Sequence, residues 1–305
     1  MTALQTDRLV TCAQDAGWDV QLHMPLAPFT TFGVGGPADV FVTVPSAEAA
    51  AELLAVCRET DTPAFLLGNG SNLLIGDKGI RGVTWRFSSK DAGCTVNDTE
   101  IVCDAGLPLS RLCTAARQHA LTGLEFAFGI PGTVGGALYM NAGAYDGEMA
   151  QVVQKAEVLH LDGTLETVDV TQMALSYRHS VFMETGDIIT RVTFRLQHGN
   201  ENAIRTKMQE LMERRRAKQP LEYPSAGSFF KRPTGYFAGA LIEQSGLKGF
   251  TVGGAAVSEK HAGFVINKGN ATAADIAALS EQVIAKVKQD TGVTMQPEVR
   301  FVGEF

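Results

Sequence analysis

The sequence lacks any long hydrophobic run. None of its apolar stretches reaches the roughly 18 residues that a membrane-spanning helix needs. The N-terminal residues also lack the basic and apolar regions of a secretory signal peptide. We therefore expect a cytoplasmic protein that does not insert into a membrane.

Cysteine and histidine are too scattered to indicate a disulfide framework or a metal site. The 5 cysteines are odd in number and include no C-x-x-C pair, and the 6 histidines show no H-E-x-x-H spacing. We therefore expect free thiols and no metal ion.

The chain has fewer basic than acidic side chains, 26 against 33, which gives a net charge of −7 at pH 7. A protein that coats nucleic acid needs a broad cationic surface to neutralise phosphates. This composition therefore argues against a nucleic-acid partner, and any anionic ligand must be held by a local set of donors. The length of 305 residues and the hydrophobic content of 45% predict a globular protein with more than one core.

Hydrophobic periodicity divides the chain near residue 200. Before it, helices are predicted over residues 47–59, with Ser46 as the cap, and 108–120; a β-α-β unit begins at residue 38 and a hairpin spans residues 152–168. After it, a charged amphipathic helix over residues 201–218 precedes short strands and helices over residues 236–244 and 273–289. This order predicts an α+β protein with domains at residues 1–199 and 200–305.

The first of two glycine-rich segments is Gly68-Asn69-Gly70-Ser71-Asn72, which follows a predicted buried strand. Its glycines allow the backbone to approach a ligand and to expose N–H groups in a concave nest suited to a diphosphate. The dinucleotide fingerprint G-x-G-x-x-G fails, because its third glycine would fall on Leu73. A plain hairpin turn explains this segment equally well when it is taken alone.

The second segment, GIPGTVGGA (residues 129–137), continues into NAGAY (residues 141–145). Its glycines can surround a dinucleotide with backbone donors, and no P-loop is present because no Lys-Ser/Thr pair follows them. The alternative is a glycine-rich packing loop. The cofactor contacts predicted from both segments are Gly68, Asn69, Gly70, Ser71, Asn72, Gly129, Ile130, Pro131, Gly132, Thr133, Gly135, Gly136, Asn141, Gly143 and Ala144.

These segments belong to a series of motifs that closely resembles the UDP-N-acetylenolpyruvoylglucosamine reductase family. The series comprises TFGVGGPADVFV (31–42), LGNGSNLLI (67–75), GIPGTVGGALYMNAGAY (129–145), LSYRHSVF (175–182), PSAGSFFKRP (224–233) and QPEVRF (296–301). The resemblance implies a PCMH-type, vanillyl-alcohol-oxidase-like FAD-binding fold in two lobes, at about 1–90 and 91–199. A C-terminal α+β substrate-binding domain would follow at 200–305.

The resemblance also implies the chemistry. Family members carry non-covalent FAD, take a hydride from NADPH and reduce UDP-N-acetylglucosamine enolpyruvate to UDP-N-acetylmuramate, a peptidoglycan precursor. By matched motif position, the catalytic residues are Arg178, Ser228 and Glu298. We expect these side chains to meet over the flavin ring.

The residue types suit this reaction. Hydride addition to the enolpyruvyl methylene carbon pushes charge toward the neighbouring carboxylate, which the planar guanidinium of Arg178 can stabilise. The resulting intermediate needs a positioned general acid, and Ser228 can act as one where nearby cations support its alkoxide. Glu298 is able to orient the arginine and the substrate carboxylate or to assist proton delivery. Without the resemblance, a surface ion pair, a turn serine and an exposed charge would explain these three residues.

Substrate contacts are predicted from the basic end of the helix over residues 201–218 and from the segment that follows Ser228. The chain resembles the shorter type of the family, which lacks a loop bearing a substrate-covering tyrosine, so no role is carried over from that tyrosine. Arg232 also stands where some members have asparagine. The predicted substrate-binding residues are Tyr145, Arg215, Lys218, Lys231 and Arg232.

Two other functions compete with this interpretation. One is a different FAD oxidoreductase of the same fold, and the other is a catalytically silent protein that binds nucleotide sugars and would purify without colour. The sequence leaves the oligomeric state open, and we take a monomer as the working prediction.

Overall fold

The computed structural model describes residues 2–305 and contains both helices and strands throughout. The α-helices are α1 (Ala3–Asp15), α2 (Ala47–Glu59), α3 (Leu109–Gln118), α4 (Val134–Tyr139), α5 (Phe182–Thr185), α6 (Glu201–Lys218), α7 (Ala238–Gln244) and α8 (Ala273–Thr291). The strands in the first half are β1 (Asp19–Pro25), β2 (Pro37–Val44), β3 (Ala64–Leu66), β4 (Leu73–Ile75), β5 (Ile80–Phe87), β6 (Cys94–Asn97), β7 (Glu100–Asp104), β8 (Leu121–Thr122), β9 (Gly143–Ala144) and β10 (Gly147–Glu148). The later strands are β11 (Val153–Leu159), β12 (Leu165–Asp169), β13 (Ile188–Arg195), β14 (Gln197–His198), β15 (Thr251–Val252), β16 (Ala255–Val257), β17 (Val265–Asn267) and β18 (Arg300–Val302).

The chain divides into two compact units. Unit 1 consists of the N-terminal segment through Gln21, Val40–Gly68 and Gly82–Arg214, and unit 2 consists of Leu22–Asp39, Asn69–Arg81 and Arg215–Phe305. The predicted domain boundary between residues 199 and 200 lies inside unit 1, and two N-terminal segments belong to unit 2. The two units are thus discontinuous in sequence, and the division into domains at residues 1–199 and 200–305 stays a prediction.

Unit 1 contains two larger sheets, each with a hydrophobic core beside it, and the two-stranded pairs β9-β10 and β8-β14. A five-stranded sheet has the order β12-β11-β13-β7-β6, and its pairings are antiparallel. Leu112, Val134 and Phe194 belong to the core between this sheet and α3 and α4. A four-stranded sheet has the order β1-β2-β5-β3, and Leu53 of α2 and Trp85 of β5 are in its core.

Helix α2 begins and ends at the predicted residues. The hydroxyl of Ser46 accepts a hydrogen bond from the N–H of Ala49 at 3.3 Å, so the predicted cap is confirmed. Leu53, Leu54 and Cys57 are buried on one face at helical spacing. The two strands of the predicted β-α-β unit, β2 and β3, lie in the same sheet, and β5 is between them.

Unit 2 is built around a three-stranded sheet, β15-β16-β17, and the helices α7 and α8. Both carboxylate oxygens of Asp77 accept backbone N–H groups at the start of α8, from Ala273 at 2.8 Å and Ala274 at 2.9 Å. This side chain therefore satisfies two N–H groups that a helix start otherwise leaves without acceptors. The parallel pair β18-β4 also belongs to unit 2 and joins distant parts of the sequence.

None of the helices within residues 2–305 combines the length and the apolar character of a membrane span. The same residues contain no cluster of three or more histidine, cysteine, aspartate or glutamate side chains suited to a metal ion.

Candidate active site

The first glycine-rich segment, residues 68–72, follows β3. Within residues 2–305, the N–H groups of Asn69, Gly70 and Ser71 donate no hydrogen bond. Gly70 has φ +57°, and a Cβ added there would lie 2.1 Å from the carbonyl oxygen of Phe29. Glycine is thus required at position 70 by its own backbone surroundings, while consecutive donors remain available to an anion.

Asn72 ends this segment and positions the segment that carries Glu298. Its Nδ2 donates to the carbonyl oxygen of Glu298 at 3.2 Å, and its carbonyl oxygen accepts the N–H of Arg300 at 3.0 Å. The predicted cofactor contact is untested, but the side chain has a clear role within unit 2.

The second glycine-rich segment turns into the short helix α4, as predicted. Thr133 is its N-cap and accepts the N–H of Gly136 at 3.3 Å. Gly135 packs against Ala105, where an added Cβ would come within 2.8 Å of the alanine Cβ. The N–H groups of Gly129 and Gly132 have no acceptor among residues 2–305.

Thr133 also lies close to Gly68, the residue of the first glycine-rich segment that belongs to unit 1. A Cβ added to Gly68 would meet the Thr133 hydroxyl at 3.3 Å. Donors without acceptors and backbone without side chains are what a bound diphosphate requires. The residues present in these segments therefore fit FAD.

The turn that carries Arg178 is strained. Ser176 and His179 exchange backbone hydrogen bonds at 3.2 and 3.1 Å, and Arg178 between them has φ +55°. Glycine or asparagine is the usual residue at such a position, because a left-handed backbone is unfavourable for a side chain with a Cβ. The half-buried guanidinium donates to the carbonyl oxygen of Gly143 at 3.5 Å. Arg178 is therefore next to the end of the second glycine-rich segment.

Asn141 and Tyr145 occupy different environments, although both are in this segment. Asn141 is 0% exposed and its side chain is hydrogen-bonded inside unit 1. Tyr145 and Asp146 both have positive φ, at 52° and 66°, and form the two-residue turn of the hairpin β9-β10. The Tyr145 ring packs under the guanidinium of Arg214, with 5.1 Å from its centroid to Cζ.

Ser228 and Glu298 are on neighbouring segments of unit 2. The N–H of Phe229 donates to Gly263 at 2.8 Å, and the carbonyl oxygen of Phe229 accepts the N–H of Glu298, also at 2.8 Å. Ser228 is exposed, and its hydroxyl makes no hydrogen bond within the described part of the chain, residues 2–305. The hydroxyl is therefore available to a bound substrate, and Glu298 is fixed through its backbone.

The predicted substrate-binding cations differ in exposure. Arg215 is only 8% exposed, and its Nη1 donates to Gln219 Oε1 at 3.4 Å. Lys218, Lys231 and Arg232 are exposed, and the Arg232 guanidinium lies 4.6 Å from the centroid of the Phe237 ring. Unit 2 therefore offers exposed positive charge on the same segment as Ser228.

Lys260 supports the basic end of α6 and was missed in the sequence. Its ammonium donates to the carbonyl oxygen of Arg216 at 2.7 Å and pairs with Glu222 at 3.6 Å. A cation at a helix C-terminus is favourable because of the helix dipole. No local pattern could have indicated this contact, because the two residues are 44 positions apart.

Comparison with known proteins identifies two matching domain families in this chain. Residues 38–169 match the FAD binding domain family, and residues 219–302 match the family described as UDP-N-acetylenolpyruvoylglucosamine reductase, C-terminal domain. The UDP-N-acetylenolpyruvoylglucosamine reductase of Pediococcus pentosaceus is 49% identical over 292 residues, covering 95% of this chain and 97% of that protein. The protein of the same name from Caldanaerobacter subterraneus subsp. tengcongensis is 49% identical over 283 residues, covering 93% of each chain.

A solved structure extends the likeness to the fold. The crystal structure of UDP-N-acetylenolpyruvylglucosamine reductase from Thermus caldophilus has a TM-score of 0.79 at 35% identity, and the match covers 93% of this chain and 98% of that one. The predicted fold class, an α+β protein with an FAD-binding domain and a C-terminal domain, is confirmed. The prediction of an FAD-dependent oxidoreductase is likewise confirmed. The chain belongs to the UDP-N-acetylenolpyruvoylglucosamine reductase family.

Proposed function

We propose that this protein uses FAD and NADPH to reduce UDP-N-acetylglucosamine enolpyruvate to UDP-N-acetylmuramate. The observation that supports this most strongly is the near-complete match to reductases of that name, together with the N–H groups of residues 69–71, Gly129 and Gly132, which have no acceptor within residues 2–305. FAD held by the glycine-rich segments would supply the redox chemistry, which is the transfer of a hydride from NADPH to the methylene carbon of the enolpyruvyl group.

The glycine-rich segments hold the cofactor in this proposal. The N–H groups of residues 69–71 and of Gly129 and Gly132 donate to the diphosphate oxygens, and the missing side chains let the backbone come close. Thr133 contributes a hydroxyl beside Gly68. The other predicted contacts, Ile130, Pro131, Gly136, Gly143 and Ala144, shape the same surface, and the buried Gly135 supports it by packing against Ala105.

Arg178 stabilises the charge that develops on the substrate. Addition of hydride to the methylene carbon forms a C–H bond and moves the double-bond electrons toward the carbon that bears the ether oxygen and the carboxylate. A guanidinium fork is matched to that carboxylate and is worth more in a partly dehydrated site than in water. The left-handed backbone at Arg178 supports a functional role, because strain of this kind persists where the surroundings require it.

Ser228 completes the reaction by donating its hydroxyl proton to the carbon that bears the ether oxygen. Its exposure and its unused hydroxyl suit a donor that meets a substrate. Lys231 and Arg232 follow it closely and can support the alkoxide that remains. The backbone of Glu298 is held by Phe229 and Asn72. Its side chain has one of two roles: it orients the arginine and the substrate carboxylate that pair with each other, or it returns a proton to Ser228.

The UDP portion is assigned to the basic side chains. Arg215 and Lys218 at the end of α6 pair with the diphosphate, because an overall acidic protein must bind an anion with local cations. Lys231 and Arg232 contact the substrate near Ser228. Tyr145 contacts the sugar or the uracil. We also propose that the protein acts as a cytoplasmic monomer without nucleic-acid or membrane partners, and that its product serves cell-wall synthesis.

The Ser228→Ala variant tests the proposed chemistry. Holoenzyme is bleached anaerobically with NADPH and then mixed with UDP-N-acetylglucosamine enolpyruvate, and the return of the yellow flavin colour is timed. We expect Ser228→Ala to bleach at the parent rate and to recover roughly 10²–10⁴-fold more slowly, since a positioned acid contributes this much. Ser110→Ala, on the exposed surface of α3, is the matched control. Recovery of Ser228→Ala at the parent rate would remove the proton-donor role.

A further inference from the structure

Asn141 lies where helix α4 ends, and its backbone forms the end of that helix. Its N–H donates to Leu138 at 3.0 Å, and the N–H of Ala142 donates to Ala137 at 2.8 Å, which is the Schellman pattern. Asn141 itself has φ +40°. Glycine and asparagine are the usual residues in this left-handed position, so the backbone alone would accept glycine equally well.

The side chain of Asn141 does something that glycine could not do. Its Nδ2 donates to the carbonyl oxygen of Ser176 at 3.0 Å, and its Oδ1 accepts the N–H of Ala150 at 2.9 Å. The residue is 0% exposed, so these bonds are made away from water, where an unmatched polar group is costly. The oxygen and the nitrogen of this amide are therefore both engaged within unit 1, and the predicted cofactor contact of Asn141 stays a prediction.

Ser176 is the first residue of the strained turn that carries Arg178. Its carbonyl oxygen accepts two hydrogen bonds, one from Asn141 and one from the N–H of His179. A second side-chain hydrogen bond lies close to that of Asn141, because the buried Ser180 hydroxyl donates to the carbonyl oxygen of Tyr139 at 2.7 Å. These two hydrogen bonds connect the Arg178 turn to the C-terminal end of α4. The N-terminal end of the same helix is part of the second glycine-rich segment.

We propose that Asn141 is a positioning residue that acts through Arg178, holding its turn at a fixed place relative to the glycine-rich segment that begins α4. This inference rests on the proposed role of Arg178. It predicts that loss of the Asn141 amide impairs the step that needs Arg178 and spares both flavin binding and flavin reduction.

Asn141→Gly isolates the amide from the backbone, because glycine keeps the Schellman pattern and the left-handed conformation. We expect the purified variant to retain FAD and to be bleached by NADPH within about twofold of the parent rate. Recovery of the flavin colour with UDP-N-acetylglucosamine enolpyruvate should slow by roughly 10–100-fold, because displacement of a catalytic group by about 1 Å has an effect of that size. Asn270→Gly is the matched control, since Asn270 is exposed, has φ +57° and makes no side-chain hydrogen bond within residues 2–305.

A double-mutant cycle separates positioning through Arg178 from general damage. In an Arg178→Ala background, Asn141→Gly should slow recovery by less than about twofold, because residues that act as a unit are not additive. Multiplication of the two single effects would overturn the proposal. Recovery of Arg178→Ala alone at the parent rate would instead refute the proposed role of Arg178, which is a distinguishable result.

Asn141→Asp keeps the inference testable if the glycine variant folds poorly. Aspartate tolerates a left-handed backbone and still accepts the N–H of Ala150, but it has no donor for Ser176. We expect it to retain flavin and to show the same selective loss of recovery. If both variants lose flavin or fail to fold while Asn270→Gly is normal, Asn141 serves the cofactor site or the fold, and the proposal is wrong.

Discussion

Replacement of Arg178 by glycine should give a more stable protein than replacement by alanine, although both variants lose the guanidinium. The reason is the backbone at this position, where φ is +55°. A left-handed conformation costs a residue with a Cβ roughly 1–2 kcal/mol. Glycine avoids this cost but loses about 0.4–1 kcal/mol relative to alanine, because it is freer in the unfolded chain. The difference favours Arg178→Gly by about 1 kcal/mol.

Urea and thermal unfolding of the two holoproteins at matched FAD concentration measure this difference. A stability change of about 1 kcal/mol corresponds to roughly 2–4 °C in melting temperature for a domain of about 150–250 residues. Ala285→Gly, at an exposed position inside α8, is a control of opposite sign and should destabilise by about 1 kcal/mol. If Arg178→Gly is no more stable than Arg178→Ala, the turn is not strained and the structural argument for a functional Arg178 fails.

Two further predictions concern unit 2. Gly70→Ala should lower the free energy of unfolding in urea by about 1–3 kcal/mol more than Gly246→Ala does. Both glycines have positive φ, but of the two only Gly70 would bring a Cβ to 2.1 Å from a carbonyl oxygen. Equal losses of unfolding free energy would contradict this crowding. Burial lowers the pKa of His261, so the unfolded chain binds its proton first as the pH falls through about 6.5, and folding stability is lost in that range. The unfolding free energy of the wild type should therefore fall more between about pH 8 and pH 5.5 than that of His261→Gln, and parallel pH profiles would refute this.

Local structure was predictable where the sequence carries a local cause. The cap at Ser46 and the spacing of apolar residues in α2 fixed both ends of that helix, and the amphipathic pattern of α6 fixed its ends as well. The parallel pair β18-β4 was not predictable as a pair, because periodicity describes one segment and contains nothing about a partner over two hundred residues away. The same limit applies to the segments Leu22–Asp39 and Asn69–Arg81, which precede the predicted boundary and belong to unit 2.

The candidate site shows a similar division. Glycine content indicated which segments could accept a diphosphate, and the unused N–H groups are consistent with it. Residue type alone gave no reason to expect a left-handed backbone at Arg178, since arginine rarely adopts one, and its proposed role came from the family resemblance. For Asn141 the sequence predicted a ligand contact but not the hydrogen bonds of its amide to Ser176 and Ala150, which are 35 and 9 positions away.

The most direct test of the account is anaerobic absorption spectroscopy of the purified protein. The preparation should be yellow with a flavin spectrum, lose that colour with NADPH, and regain it when UDP-N-acetylglucosamine enolpyruvate is added, with UDP-N-acetylmuramate formed in equal amount to the flavin reoxidised. A colourless protein, or a bleached flavin that stays reduced with this substrate and recovers only with oxygen, would contradict the proposed reaction.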